Sequence, residues 1–279
     1  MIAVLGGLGA AVCWATAGLS AARASRIAGA WPVLAWVMLV GLVVTVPLTA
    51  AAGAPDGLGG GAVAWMALAG AGNVGGLLLV YEAMRLGKIS ITAPITSTEG
   101  AVAALLAVAT GETLHASSAV LLAAIMVGVV LASLTGASSG AHPLRATLLS
   151  ACAAGLFGAS LFATARVSQV LPLAWALVPP RVVGVVVIAA PALVAGRLRI
   201  PSGALAFAVL TGLCEVGGFA SYAVGARHSI AISAVLASQF AALTVVAAFL
   251  LFRERLRPVQ LVGVGTIVVC VAVLSVLRA

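Results

Sequence analysis

Glu99, Glu215 and Arg181 each sit near the middle of a long apolar run. If those runs cross a bilayer, each charge costs ~2.5–3.5 kcal/mol on the insertion scale. Such groups are tolerated where they face water, one another or a solute. A carboxyl at that depth is suited to exchanging a proton in a coupled carrier, or to holding a structural ion pair inside a bundle. Arginine stays charged and needs an acid, a solute carboxylate or several carbonyls. Glu215 is the natural partner of Arg181, and a permanent pair and a solute-binding role both remain open. An arginine and a glutamate together suit a zwitterion such as an amino acid, with a second glutamate left for a proton. Asn73, Gln239, Ser97, Thr98, Tyr81, Tyr222, Trp14 and Phe157 could line the same mid-membrane pocket, or serve as packing and hydrogen-bonding contacts between helices.

The remaining acids read differently. Asp56, Glu112 and Glu254 fall at helix ends or loops, where an acid pairs with a nearby arginine or caps the next helix. Glu82 lies three residues before Arg85, the spacing of an i,i+3 pair.

Composition makes the membrane the solvent. Of 279 residues, 63% are hydrophobic and 7% charged, against roughly 25% charged in soluble domains. A span takes ~20 apolar residues. The runs predict ten helices, over 2–22, 31–52, 62–84, 89–110, 116–135, 145–166, 171–195, 203–225, 230–252 and 258–278. The first run has no basic stretch before it and is long enough to span, so it is read as a helix rather than a cleaved leader. Alternating ten-residue segments of the β-barrel type are absent.

The chain also repeats. A shift of 142 residues lays Asn73-Val74-Gly75-Gly76 on Glu215-Val216-Gly217-Gly218, Arg85 on Arg227, Glu112 on Glu254, Leu114 on Leu256 and Ser133 on Ser275. Trp31-Pro32 is similar to Leu171-Pro172 at the start of helices 2 and 7. Two five-helix halves follow, 1–135 and 145–279, joined by a linker over 136–144. Because five is odd, the second half enters the membrane inverted, the arrangement of many secondary transporters.

Charge placement fits that topology. The loops after helices 1, 3, 5, 7 and 9 carry Arg23, Arg26, Arg85, Lys88, Arg145, Arg197, Arg199, Arg253, Arg255 and Arg257. The other side carries Arg166, Arg227 and Arg278. The richer side is expected to be cytoplasmic, which puts both termini outside. Basic residues scattered between apolar runs also argue against nucleic acid as the reason for the net charge of +8.

The stretch from Tyr81 to Ser133 resembles the end of an EamA domain. A tyrosine and small residues close helix 3, an apolar helix 4 ends in Gly111-Glu112, and a glycine-containing helix 5 follows. Tyr222 to Ser275 resembles it again, with Arg253-Glu254-Arg255-Leu256 in place of the Gly-Glu. Trp14 and Phe157 lie where the family favours an aromatic, and Arg181 where it often has an arginine. The position in helix 2 matching Arg181 is apolar, near Met38, and Glu99-Gly100 stands where many members have a proline. The resemblance is to the drug/metabolite transporter superfamily. It implies an all-α integral membrane protein of two inverted EamA repeats that exports a metabolite or drug by alternating access. Several relatives are thought to keep both termini cytoplasmic, opposite to the charge count.

The expected partners are a small-molecule substrate, the lipid bilayer of a bacterial inner membrane and protons, for a monomer or weak homo-oligomer. No cofactor or metal is expected. Cys13, Cys152, Cys214 and Cys270 stand alone, and His115, His142 and His228 fall in or beside loops. No GxxxxGK[ST] occurs, so ATP is not the energy source. A membrane-embedded enzyme would need a nucleophile–base pair, a metal motif or paired aspartates, none of which the sequence offers. A scaffold would leave the mid-span charges without a purpose.

Overall fold

The computed structural model describes residues 1–55, 58–86, 95–133, 143–252 and 257–277. Asp56, Lys88, His142, Glu254 with its flanking Arg253 and Arg255, Arg278 and most of the 136–144 linker lie outside the described residues, as does the Arg85 side chain. Every regular element among the described residues is helical. In chain order these are α1 (Ile2–Ala28), α2 (Ala30–Ala52), α3 (Gly60–Leu86), α4 (Glu99–Ala109), α5 (Ala116–Ser133), α6 (Pro143–Val170), α7 (Leu173–Gly184), a π-helical turn (Val185–Ala189), α8 (Ala190–Val194), α9 (Ser202–Ala226), α10 (Ile230–Ala237), α11 (Phe240–Phe252) and α12 (Pro258–Leu277).

Each apolar run of the sequence carries helix, and six segments among the described residues are long and apolar enough to cross a membrane. Several boundaries differ from the expected ones. α1 continues to Ala28, so Arg23 and Arg26 ride on the helix instead of in a loop, with the Arg23 guanidinium over the Phe207 ring. A long aliphatic stem lets arginine extend a helix beyond its apolar core. Arg166 lies within α6 for the same reason. Three expected continuous helices are interrupted. A turn at Ser97-Thr98 precedes α4, a turn at Ser238-Gln239 separates α10 from α11, and the π-turn follows the Pro179-Pro180 pair of α7. Proline removes an N–H donor and clashes with the preceding turn. The Ser-Thr and Ser-Gln pairs offer side chains that compete for backbone partners.

Lipid removes the hydrophobic drive between helices, so close contact and polar ties must hold them. α1 packs on α9 where Gly6 meets the backbone of Gly225, and Ser221 Oγ donates to the Gly6 carbonyl at 2.9 Å. α3 packs on α6 in the same manner: Gly72 meets the Leu156 carbonyl, and Ser160 Oγ donates to the Ala69 carbonyl at 2.7 Å. α2 packs on α7, α4 on α10 and α5 on α12, the last through Gly128 against Gly263. These five packings are unchanged when the helices of 1–135 are exchanged with those of 145–279, while others, such as α9 on α7, have no such counterpart among the described residues.

A central cavity as the candidate functional site

Arg181 is built into the most irregular helix. It follows Pro179-Pro180 directly and precedes the π-turn by one helical turn. Its side chain is 1% exposed. The stem passes Gly41, where a Cβ would fall 2.6 Å from Arg181 Cδ, so a side chain at 41 would displace it. Nη2 donates to Glu215 Oε2 at 3.3 Å, Nη1 lies 3.9 Å from Met38 Sδ, and the guanidinium stands 5.3 Å from the centre of the Phe219 ring. The ring face supplies a cation–π contact. Nε has no hydrogen-bond partner among the described residues.

Glu215 also lines a cavity of about 340 Å³. α1, α2, α3, α6, α9 and α11 wall this space, together with Thr96 and Glu99 at the break before α4. Of the eleven residues singled out from sequence, Trp14, Asn73, Tyr81, Glu99, Phe157 and Glu215 line it, and Thr98, whose hydroxyl donates to the Ile95 carbonyl at 2.7 Å, does not. Arg181 lies behind Glu215. Ser97 and Gln239 are buried in the two helix breaks, and Tyr222 is fully buried with its hydroxyl donating to the Leu161 carbonyl at 3.0 Å. Those four do not reach the cavity wall.

Glu99 is the first residue of α4, a position where the free N–H groups of a helix favour negative charge. Gly158 admits this turn: a Cβ there would lie 2.7 Å from the Glu99 carbonyl. Among the described residues no cation and no hydrogen-bond donor engages the Glu99 carboxyl. Asn73 Oδ1 and Trp14 Nε1, both buried at the wall, also lack a partner there.

The two aromatics are seated alike. A Cβ on Gly76 would fall 2.6 Å from two ring carbons of Phe157, and one on Gly218 would fall 2.6 Å from Trp14 Cδ1. Glycines at those sites let each ring lie flat against the opposite half. Around Trp14 stand Phe219, with ring centres 5.1 Å apart, and Phe240, at 6.3 Å. Sequence reasoning missed both. Phe219 carried a signal, since it lies one helical turn beyond Glu215.

A second, polar hollow of about 260 Å³ lies at the end of the bundle where α4, α6 and α9 finish. Glu112 Oε2 accepts from the Ile230 amide at 3.0 Å and Oε1 from the Ser229 hydroxyl, capping α10. Arg166 donates to Thr110 Oγ1 at 2.7 Å. Arg227 donates to the carbonyls of Ser168 and Leu171. Glu112 is therefore a cap, and the helix it caps belongs to the other half of the chain.

Residues 1–134 match the model of the EamA-like transporter family. No curated protein matches the chain. Among solved structures that match, one described only as the crystal structure of a protein is 18% identical, with a TM-score of 0.77 over 99% of this chain and 96% of that one. That likeness shows a shared fold. Residues 1–134 thus carry a domain of the EamA-like transporter family, the domain of the drug/metabolite transporter superfamily, in a multi-pass membrane protein.

Proposed function

We propose that the protein is a secondary active transporter that exports a small organic solute across a bacterial inner membrane in exchange for protons. The observation that carries this reading is one cavity walled by both halves of the chain, with Glu99 and Glu215 on its surface. Ten crossings, in two inverted units over 1–135 and 145–279, are the topology that accompanies it. The five helix packings that survive exchange of the halves, and the matched seats of Trp14 and Phe157, support that topology. Rocking of one half against the other then opens the cavity to each side in turn. Glu99, unpaired among the described residues, is the group that takes up and releases the proton, while Glu215 is held by Arg181.

Purified protein in liposomes tests the reading. Labelled solutes are expected to exchange across the membrane, and an imposed pH gradient is expected to drive net flux. Glu99→Gln should lose the response of flux to the gradient. A membrane enzyme or a scaffold would move nothing, and full gradient-driven flux in the variant would remove Glu99 from the coupling step.

A further inference from the structure

Charge and shape in the central cavity narrow the solute class. This inference rests on the transporter reading above. A zwitterion would need a free cation at the wall, and the structure hides the one that sequence offered. Arg181 is 1% exposed and faces Glu215, Met38 and Phe219. No cationic side chain lines the cavity among the described residues. With Glu215 paired to Arg181, Glu99 is the carboxyl at the wall that no cation meets among the described residues, and it supplies a negative charge there when ionised. The rest of the wall is mainly apolar, with the rings of Trp14, Phe157, Phe219 and Phe240. Aromatic faces attract cations, and quaternary ammonium groups above all. We propose that the cavity binds an organic monocation with a flat apolar body, the positive centre against the Glu99 carboxylate and the body among Trp14, Phe157 and Phe240.

Calorimetric titration of the purified full chain in detergent compares three probes of similar body and different charge: benzyltrimethylammonium, phenylalanine and phenylacetate. Saturable binding is expected for the cation alone. Glu99→Gln should weaken it by about tenfold or more, the order expected for a lost charge-assisted contact. Glu99→Asp, which keeps the charge, should rescue most of the binding. Size-exclusion profile and thermal midpoint report whether each variant folds, and the comparison of probes on the unmodified protein stands without any variant. Tighter binding of phenylalanine or phenylacetate overturns the proposal, as does unchanged cation binding in a folded Glu99→Gln or no binding of the cation at all. Exchange in liposomes separates this from the parent reading. Exchange of phenylalanine without the cation leaves transport standing and the cation class refuted. Cation binding at Glu99 without any exchange does the reverse.

Discussion

Loss of Glu215 and loss of Arg181 should not cost the same, although the two form one ion pair. Glu215→Gln strands a guanidinium that is 1% exposed, and leaving a buried charge unpaired costs about 3–5 kcal/mol. Arg181→Met leaves a carboxylate that is 28% exposed at the cavity wall and can be hydrated. Denaturation in mixed micelles should therefore show the glutamate variant as clearly the less stable. Equal losses would mean that Arg181 reaches water in a way the structure does not show. At the other end of the bundle, Glu112→Ala removes a cap from α10, a change of about 0.5–2 kcal/mol. Ser229→Ala should add little to it, because both side chains serve the same helix end. The sequence left Glu112 as either a partner for a nearby arginine or a cap on the next helix. It hid which helix is capped, because Glu112 and Ile230 are far apart in the chain and only the packing of the halves brings them together.

Between elements, the two aromatic seats give a paired test. Gly76→Val drives a branched side chain against the Phe157 ring, and Gly218→Val does the same to Trp14. Either ring is then displaced toward the cavity, so both variants should insert normally and lose solute exchange. Phe157→Ala should restore part of the exchange in the Gly76 variant and none in the Gly218 variant. A cross-rescue would break the assignment of each glycine to its ring. The glycine pairs were legible as a repeat, Asn73-Val74-Gly75-Gly76 on Glu215-Val216-Gly217-Gly218, and apolar runs located every helix-bearing stretch. The interruptions were less visible, because hydropathy averages over a window and does not respond to Ser238-Gln239 within an apolar run. Pro179-Pro180 was a local signal that the reading of helix 7 as one continuous run passed over. The consequence for the site was large: Glu99 opens a helix at a break rather than riding mid-helix, and Gly100 packs there against the Ala234 carbonyl of α10.

Across the whole molecule the two ends of the bundle differ. Cavity residues on α1 run from Trp14 to Ala21, toward its C-terminal end. Those on α2 run from Val33 to Met38, near its N-terminal end, and those on α3 from Asn73 to Tyr81, again toward the C-terminal end. All three lean to the end that holds the α1–α2 junction. Arg23, Arg26, Arg197 and Arg199 lie at that same end, while Glu112, Arg166 and Arg227 tie the opposite end with hydrogen bonds. If the arginine-rich end is cytoplasmic, as the positive-inside rule expects, the cavity of this conformer leans toward the cytoplasm and the hydrogen-bonded end lies outside. Single cysteines in a chain whose four native cysteines are replaced can check this. An impermeant maleimide should label Ala21→Cys in inside-out vesicles and Gln169→Cys in right-side-out vesicles. The reversed pattern would give the sidedness that the family resemblance implies and refute the charge count. If the polar ties at the hydrogen-bonded end form only in the state in which it is closed, removing one shifts the population away from that state. Adding Glu112→Ala to the Ala21→Cys chain should therefore slow cytoplasmic labelling at Ala21. Unchanged labelling would mean that Glu112 caps α10 equally well in both states and takes no part in closing the outer end.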